Sequence, residues 1–457
     1  AAAREVVSMD PGSEPVIIAE RHNRIRRLPM MEQIAATRAV KDLVAAHDYL
    51  GAIQARGASF GKMLELFETM STPPAEPATD AGSTPSASDR PKRVAIIHAG
   101  GLAPGMNTAA RAAVRLGLDH DFTMLGVYGG FPGLLDGDVR ELTWADVEGW
   151  VGDGGAQLGT RREVPTIEQL YALGRAIELH EIDALLVIGG YNAYLSAYRL
   201  VTERDRYPAF QIPIVCVPAS IDNNLPGSEL SIGTDTALNN AVVALDSIKL
   251  SAAASHRCFV AEVMGRKCGY LSLMSGLATG AEKVYLNEEG ITLAGLAADS
   301  ERMVESFRSG RSLYLVIRNE RASVNYTTDV LAHIFAEEGK GLYDVREAIL
   351  GHQQQGGSPT AFDRIMATKL VAYSLELLAC ALKRGEPTAS YVGLVQGKVS
   401  DQPLDRMNDD LDRDNRRPRH QWWLGLRPAV GLVSQDIGTL ALQDVPDFGE
   451  AVDDAAN

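Results

Sequence analysis

The sequence predicts an α/β fold: two Rossmann-like three-layer α/β/α lobes with mostly parallel sheets. Three observations predict it. Aliphatic runs such as Ile182–Gly190 and Ile212–Val217 read as strands buried on both faces. Helical stretches alternate with such runs through most of the chain. Glycine-rich or polar turns close the strands at Gly100–Gly101, Gly189–Gly190 and Pro218–Gly227, where open α/β sheets place their sites. The 457 residues exceed one ordinary domain, and a hydrophobic content of 46% supplies core for two lobes.

Residues 1–14 are small and polar and read as a loose terminus, and Val16–Ile18 as a short strand. Helices are expected from Leu28 through Val44, over 47–55 and over 59–70. Gly57–Met63 falls one residue short of a P-loop and lacks its Ser or Thr, so it is rejected as one. Residues 71–90 are almost entirely Ser, Thr, Pro, Ala, Gly, Asp and Glu, which predicts a flexible linker. The expected organisation is a helical piece over 1–70, the linker over 71–90, and a body over 91–457 with its second lobe at roughly 231–352.

The body opens with a strand at Arg93–Ile97, a glycine turn over His98–Asn107 and a helix from Thr108 to Leu118. That order presents backbone N–H groups to phosphate. It is not G-x-G-x-x-G, and an ordinary tight βα turn is the alternative. Thr123–Tyr128 is the next strand, with a loop at Gly129–Leu134. The turn from Gly154 ends in Arg161 and Arg162, whose guanidinium forks suit phosphate oxygens. Ile182–Gly190 is followed by a helix through Leu200. Ile212–Val217 feeds the central loop, where Asp222 is the only acid between Asp205 and Glu229. A surface turn would use the same residue types. A helix over Thr236–Ser255, strands at Arg257–Val263, Lys283–Glu288 and Ser312–Glu320, a strand-to-turn over Ile349–Gly357 and an amphipathic helix over Ala361–Lys383 complete the body. The tail carries Trp422 and Trp423.

The formal net charge of −15, without a long basic run, argues against nucleic acid and anionic membranes as partners. An anionic ligand must be held by local arginines. Cys216, Cys258, Cys268 and Cys380 lie in apolar or glycine-rich segments without a C-x-x-C pair, as expected of free buried thiols in a reducing compartment. No secretory leader and no apolar run of membrane length are read, so a cytoplasmic location is expected. Asn325–Thr327 matches a glycosylation sequon, but nothing else looks secreted.

The loops occur in an informative order: Gly100–Asn107, Gly154–Gly155 with Arg162, Gly189–Gly190, Pro218–Asn224, Met264–Arg266, Leu350–Pro359 and Phe362–Arg364. Over about residues 91–430 the sequence closely resembles ATP-dependent 6-phosphofructokinases. Arg26–Glu32 and Ala55–Phe60 resemble the end of a preceding phosphofructokinase half. The whole resembles the C-terminal, regulatory portion of the fused tandem enzymes, and the resemblance implies the phosphofructokinase fold. It also implies Asp222 as the base for a sugar hydroxyl and Arg162 as the partner of the transferring phosphoryl. It implies nucleotide contacts at Gly101, Gly189, Gly190, Tyr191, Asn192 and Ala193. Sugar-phosphate contacts are implied at Arg257, Met264, Gly265, Arg266, Glu320, Arg346 and His352, with Arg257 and Arg346 reaching across a subunit contact. In the tandem enzymes the set resembles a fructose 2,6-bisphosphate site, with Ser220, Ile221, Asp222, Asn223, Asn224, Gln355 and Arg416 belonging to it. Mg²⁺ and ATP serve the family, and the implied partners are a phosphorylated fructose and other phosphofructokinase halves.

The departures from that pattern matter. Tyr191 stands where an acid supports Mg²⁺, Leu102 replaces another Asp, Asn224 replaces the second acid of the central loop, and Gln355 replaces an arginine. Ala219 stands where a pyrophosphate-using variant has lysine. No metal ligand is expected in this chain. Three readings follow: a regulatory half that binds a phosphorylated fructose, a working phosphofructokinase, and a sugar-phosphate-binding protein of unrelated role.

Overall fold

The computed structural model describes residues 90–434, the strand pair Val6–Val7 and Val16–Ile17, and Leu43. The chain divides into two compact units, Ala1–Asp89 and Arg90–Asn457. In the first, Val6 lies opposite Ile17 and Val7 opposite Val16 in an antiparallel pair. Leu43 is helical; the rest of the helices expected before residue 71, and the linker up to residue 89, lie outside the described residues.

The second unit is built on two sheets. The larger uses β1 (Arg93–Ala99), β2 (Thr123–Val127), β3 (Val139–Glu141), β4 (Ala184–Gly189) and β5 (Ile214–Pro218). The smaller uses β6 (Arg257–Val263), β7 (Lys283–Tyr285), β8 (Leu313–Asn319) and β9 (Asp344–Ile349). The late hairpin β10 (Ala389–Val395) and β11 (Lys398–Pro403) returns to the larger sheet. The strand orders are β11-β10-β5-β4-β1-β2-β3 and β9-β6-β8-β7. The smaller sheet is parallel throughout, and the larger is parallel except at its two edges, β2 with β3 and β10 with β11.

Helices cover both faces of the larger sheet, because its central strands are apolar on both sides. Val94, Ile96, Leu186 and Val217 face one core, and Ala95, Ile97, Leu185 and Cys216 face the other. The first core includes α1 (Met106–Asp119), α5 (Thr234–Ala253), α6 (Tyr270–Thr279) and α9 (Ala361–Arg384) and runs on to Ala261 and Ile317 of the smaller sheet. The second includes α2 (Gly130–Asp136), α3 (Leu170–Leu179) and α4 (Tyr191–Thr202). A third core lies between the far face of the smaller sheet and α7 (Leu293–Arg308) and α8 (Thr328–Gly339).

Three expectations are corrected. Gly129–Leu134 is not a loop: Gly129 and Gly130 take left-handed φ of 85° and 70° and start α2, which buries Phe131 and Leu134. Helix α9 does reach membrane length by size and composition, although it buries Met366, Leu370, Leu375 and Leu378 in the core. Cys380 is exposed on the solvent side of that helix, while the other three cysteines are buried, and all four are free.

Candidate functional site

Strand register brings the site together. Ala99 lies opposite Gly189, and Gly189 opposite Pro218, so the turns after β1, β4 and β5 emerge side by side. In the smaller sheet Asn319 lies opposite Val263, which puts Glu320 beside Met264. The carboxyl ends of both sheets thus face one cleft of about 650 Å³. It is lined from the larger sheet by Gly100, Gly101, Arg162, Gly190, Tyr191, Asn192 and Ser220–Asp222 with Asn224. Met264, Arg266, Lys267 and Arg321–Val324 line it from the smaller one, and Gln355 and Asp414–Arg416 complete it.

The loops are fastened by buried polar side chains. Asn107 donates to the Gly154 carbonyl at 2.9 Å and accepts from the Gln157 N–H at 2.6 Å, tying the first glycine turn to the second. A Cβ on Gly154 would sit 2.2 Å from the Gly357 oxygen, so that crossing admits only glycine. Asp363 accepts from the N–H groups of Gly233 and Thr236, each at 2.8 Å, and anchors the start of α5. Burial pushes its carboxyl up to about 6 against those hydrogen bonds. Below the first turn His98 is fully buried, and burial lowers its imidazole to about 4, so it brings no charge at neutral pH.

Asp222 is half-buried in the cleft wall. Burial pushes its carboxyl from 3.8 up to about 6; Arg266 opposes this, Glu320 adds to it, and Arg162 opposes it. The Asp222 N–H donates to Ser220 Oγ at 3.2 Å, and Ser220 Oγ donates to Asn224 Oδ1 at 3.1 Å. Asn224 Nδ2 donates to the Arg416 carbonyl at 2.9 Å. Arg266 holds a left-handed φ of 48°, and its N–H donates to Glu320 Oε1 at 2.7 Å. The Arg416 guanidinium lies 5.4 Å from the centre of the Tyr191 ring.

Several implied residues serve the site without lining it. Asn223 is buried, donates to the Glu229 carbonyl at 2.8 Å and accepts from the Ser231 N–H at 2.9 Å, so its side chain closes the loop. A Cβ on Gly189 would sit 1.9 Å from the Ala99 oxygen, which makes that glycine a packing requirement. Ala193 is core, and Gly265 is a backbone turn at φ 133°. Arg257, Arg346 and His352 do not line the cleft either. Arg257 opens β6 while Met264 follows its end, a run of about 23 Å at about 3.3 Å per residue. Arg346 lies opposite Phe259, and both arginines face Asp344, at 3.7 and 3.5 Å. His352 is exposed.

The profile of the phosphofructokinase family matches residues 93–378. The chain belongs to that family. It is 40% identical over 434 residues to an ATP-dependent 6-phosphofructokinase of Dictyostelium discoideum, covering 94% of this chain and 50% of the relative. It is 37% identical to the platelet-type enzyme of Homo sapiens, covering 96% and 56%. The solved Pichia pastoris phosphofructokinase in the T-state superposes with a TM-score of 0.73 at 31% identity, covering 92% of this chain and 49% of that one. The chain therefore spans about half the length of these phosphofructokinases.

Lys267, Asn287, Arg321, Ser323, Asp414 and Asn415 also line the phosphofructokinase cleft and were not anticipated from sequence. All six sit after strand ends or in a polar tail, but the signal that would single them out is spatial. Buried Arg318 holds the Arg321–Val324 segment, donating to the carbonyls of Ser323 at 2.8 Å and Tyr326 at 3.0 Å and to Glu262 at 2.7 Å. Among the described residues, no group of three or more His, Cys, Asp or Glu could hold a metal ion. With a phenol at 191 and an amide at 224, the residues present do not fit a carboxylate-held Mg²⁺.

Proposed function

We propose that this chain is the C-terminal, regulatory half of a tandem ATP-dependent 6-phosphofructokinase of glycolysis, and that its cleft binds a phosphorylated fructose as an effector. One observation carries the reading. Arg162, Arg266, Arg321 and Arg416 converge on one cleft in a chain of net charge −15, while the nucleotide end presents Tyr191 in place of a carboxylate. Guanidinium forks match phosphate oxygens in charge and geometry. The proposed contacts are those of Arg162, Ser220, Ile221, Asp222, Asn224, Met264, Arg266, Gln355 and Arg416, with Glu320 holding the Arg266 backbone. Gly101, Gly190 and Asn192 form the eroded nucleotide end.

Arg257, Arg346 and His352 belong to the reading in another way. Arg257 sits about 23 Å and Arg346, opposite Phe259, about 16 Å back along the strands, where they would serve the cleft of an adjoining phosphofructokinase half. An oligomer is thus part of the proposal. Three buried, unpaired thiols fit a cytoplasmic protein.

Asp222 favours a second reading, a working phosphofructokinase. A carboxylate that titrates near 6 can accept a proton from a sugar hydroxyl at neutral pH. Calorimetry of the 457-residue chain with fructose 6-phosphate, fructose 2,6-bisphosphate and Mg-ATP, followed by a turnover assay, separates the two. The regulatory reading expects sugar-phosphate binding with turnover at least a hundredfold below ordinary kinases, about 3 kcal/mol of lost charge stabilisation. Ordinary turnover that Asp222→Ala abolishes overturns it.

A further inference from the structure

One buried carboxylate stands behind the loops that supply the cleft. Asp363 lies in the first turn of α9, is fully buried and does not line the cleft. Its Oδ1 accepts from the Gly233 N–H at 2.8 Å, and its Oδ2 from the Thr236 N–H at 2.8 Å and the Thr236 hydroxyl at 2.5 Å. Those donors belong to the start of α5, where N–H groups have no partner within the helix. Gly233 precedes the helix at φ 92° and has no side chain to cap it. The cap therefore comes from a second helix. Every one of these partners donates, so a carboxylate satisfies them, whereas a carboxamide would turn its own N–H groups against one of them.

The cleft loops are fastened to that capped turn. The central loop hangs on it through the Thr234 hydroxyl, which donates to the Ser220 carbonyl at 2.8 Å, and through the Ile232 carbonyl, which accepts from the Ser220 N–H at 3.0 Å. Ser220 Oγ in turn holds the Asp222 N–H and Asn224. The loop that carries Gln355 is tied at Thr360, whose N–H donates to Thr236 Oγ1 at 3.0 Å and whose hydroxyl donates to Asp235 at 2.6 Å. Asn240 of α5 holds the same loop, donating to the Gly356 carbonyl at 3.0 Å. The first glycine turn presses on the junction as well: a Cβ on Gly105 would sit 2.7 Å from Ile232 Cγ2 and 3.8 Å from Asp363 Cβ.

We propose that Asp363 is a positioning residue: its carboxylate caps α5 from α9 and, through Thr234 and Ser220, holds the central loop in the arrangement that meets the ligand. The inference rests on the reading above that a phosphorylated fructose occupies the cleft, and it adds a residue outside the cleft to that reading. A helix that loses its cap frays over its first turn, and that turn is where Thr234 grips Ser220. With Ser220 released, the Asp222 N–H loses its fixed acceptor, so a fault at residue 363 reaches the cleft as a displaced Asp222.

The test joins calorimetry of the full 457-residue chain with fructose 6-phosphate to amide hydrogen exchange of the ligand-free chain. Leu378→Ala, buried on α9 about four turns beyond Asp363, is the control that costs stability without touching the cap. Asp363→Asn should weaken fructose 6-phosphate by about tenfold, the scale of a lost helix cap, and Leu378→Ala by less than about twofold. The Ser220 and Asp222 amides should exchange at least about tenfold faster in Asp363→Asn than in Leu378→Ala. Thr234→Val should weaken binding by about three- to fivefold alone and add nothing to Asp363→Asn, because both act through the grip on Ser220. Should Asp363→Asn fail to fold, Thr236→Val removes only the hydroxyl donor, and about threefold weaker binding with faster exchange at Ser220 and Asp222 is expected of it. Unchanged affinity in the cap variant, an equal loss in Leu378→Ala, or additive losses on combining Thr234→Val with Asp363→Asn would each overturn the inference. A wild-type chain that binds no sugar phosphate overturns the regulatory reading of the cleft; exchange at Ser220 and Asp222 no faster in the cap variant than in Leu378→Ala overturns the positioning role.

Discussion

Replacing Asp222 by Asn should make the protein more stable above neutral pH and leave it unchanged in acid. Burial holds the Asp222 carboxyl at about 6 against an ordinary 3.8, even with Arg266 and Arg162 drawing it down. Between those two values the native state keeps a proton that the unfolded chain has already lost. Stability therefore falls as pH rises through that window and stays flat above it. The full gap corresponds to about 3 kcal/mol at 1.36 kcal/mol per pH unit. The cleft leaves the group partly open to water, so about 1–2 kcal/mol is the better expectation. Asn keeps the shape and removes the charge. Denaturant unfolding of wild type and Asp222→Asn across about pH 3.5 to 8 measures the difference, with the slope m expected to stay constant. The gain should appear at about pH 8, shrink through 6 and vanish below 4. A variant that is less stable at pH 8, or that gains equally at both ends, would refute the idea that this carboxylate is held at a cost to the fold. Such a cost is what a site retained for ligand or proton chemistry exhibits.

Arg162→Ala should weaken sugar-phosphate binding by about 1.5–3 kcal/mol, the scale of a charge-assisted hydrogen bond, and calorimetry that finds no change would remove Arg162 from the site. Arg346→Ala should cost a similar amount only at protein concentrations where the oligomer forms, so its effect should disappear on dilution to monomers followed by sedimentation; a loss in the monomer would place Arg346 in its own chain's cleft. Arg318→Met strands Glu262 and frees the Ser323 and Tyr326 carbonyls, for which about 3–5 kcal/mol of destabilisation is expected from unfolding midpoints. A loss under 1 kcal/mol would mean that the Arg321–Val324 segment is held by something else.

Much of the fold was legible because its central strands are apolar on both faces. Ile182–Gly190 reads as a buried parallel strand without any alignment, and Ala184–Gly189 is one. What escaped was structure whose signal is mixed or inverted. The hairpin of β10 and β11 closes a sheet edge and turns at Gln396–Gly397; its first strand carries only the short apolar run Tyr391–Val395, and its second, Lys398–Pro403, is mostly polar and never fully buried. Helix α2 reads as a loop because three glycines within Gly129–Gly133 suggest a turn, and left-handed glycines do start the segment. Composition alone does not say that Phe131 and Leu134 then find a core.

The site divides along the same physical line. Turns that close parallel strands can be found in a sequence, because the strand that feeds them is visible; hence Gly101, Gly190, Ser220–Asn224 and Met264–Arg266. Which of those residues face the ligand depends on close contacts that leave no local mark, and so Asn223 and Gly189 proved to hold the loops instead. Arg257 was separable from the cleft by arithmetic, since it opens a seven-residue strand and Met264 follows the end of that strand. Arg416 was the hardest case. Nothing in Asp412–Arg417 marks a ligand site, and it reaches the cleft only because Asn224, Tyr191 and the Asp412 turn fix it from three directions. A cleft arginine of this kind is difficult to read for this reason: its charge is ordinary in the sequence, and what places it in the cleft is the set of neighbours that hold it.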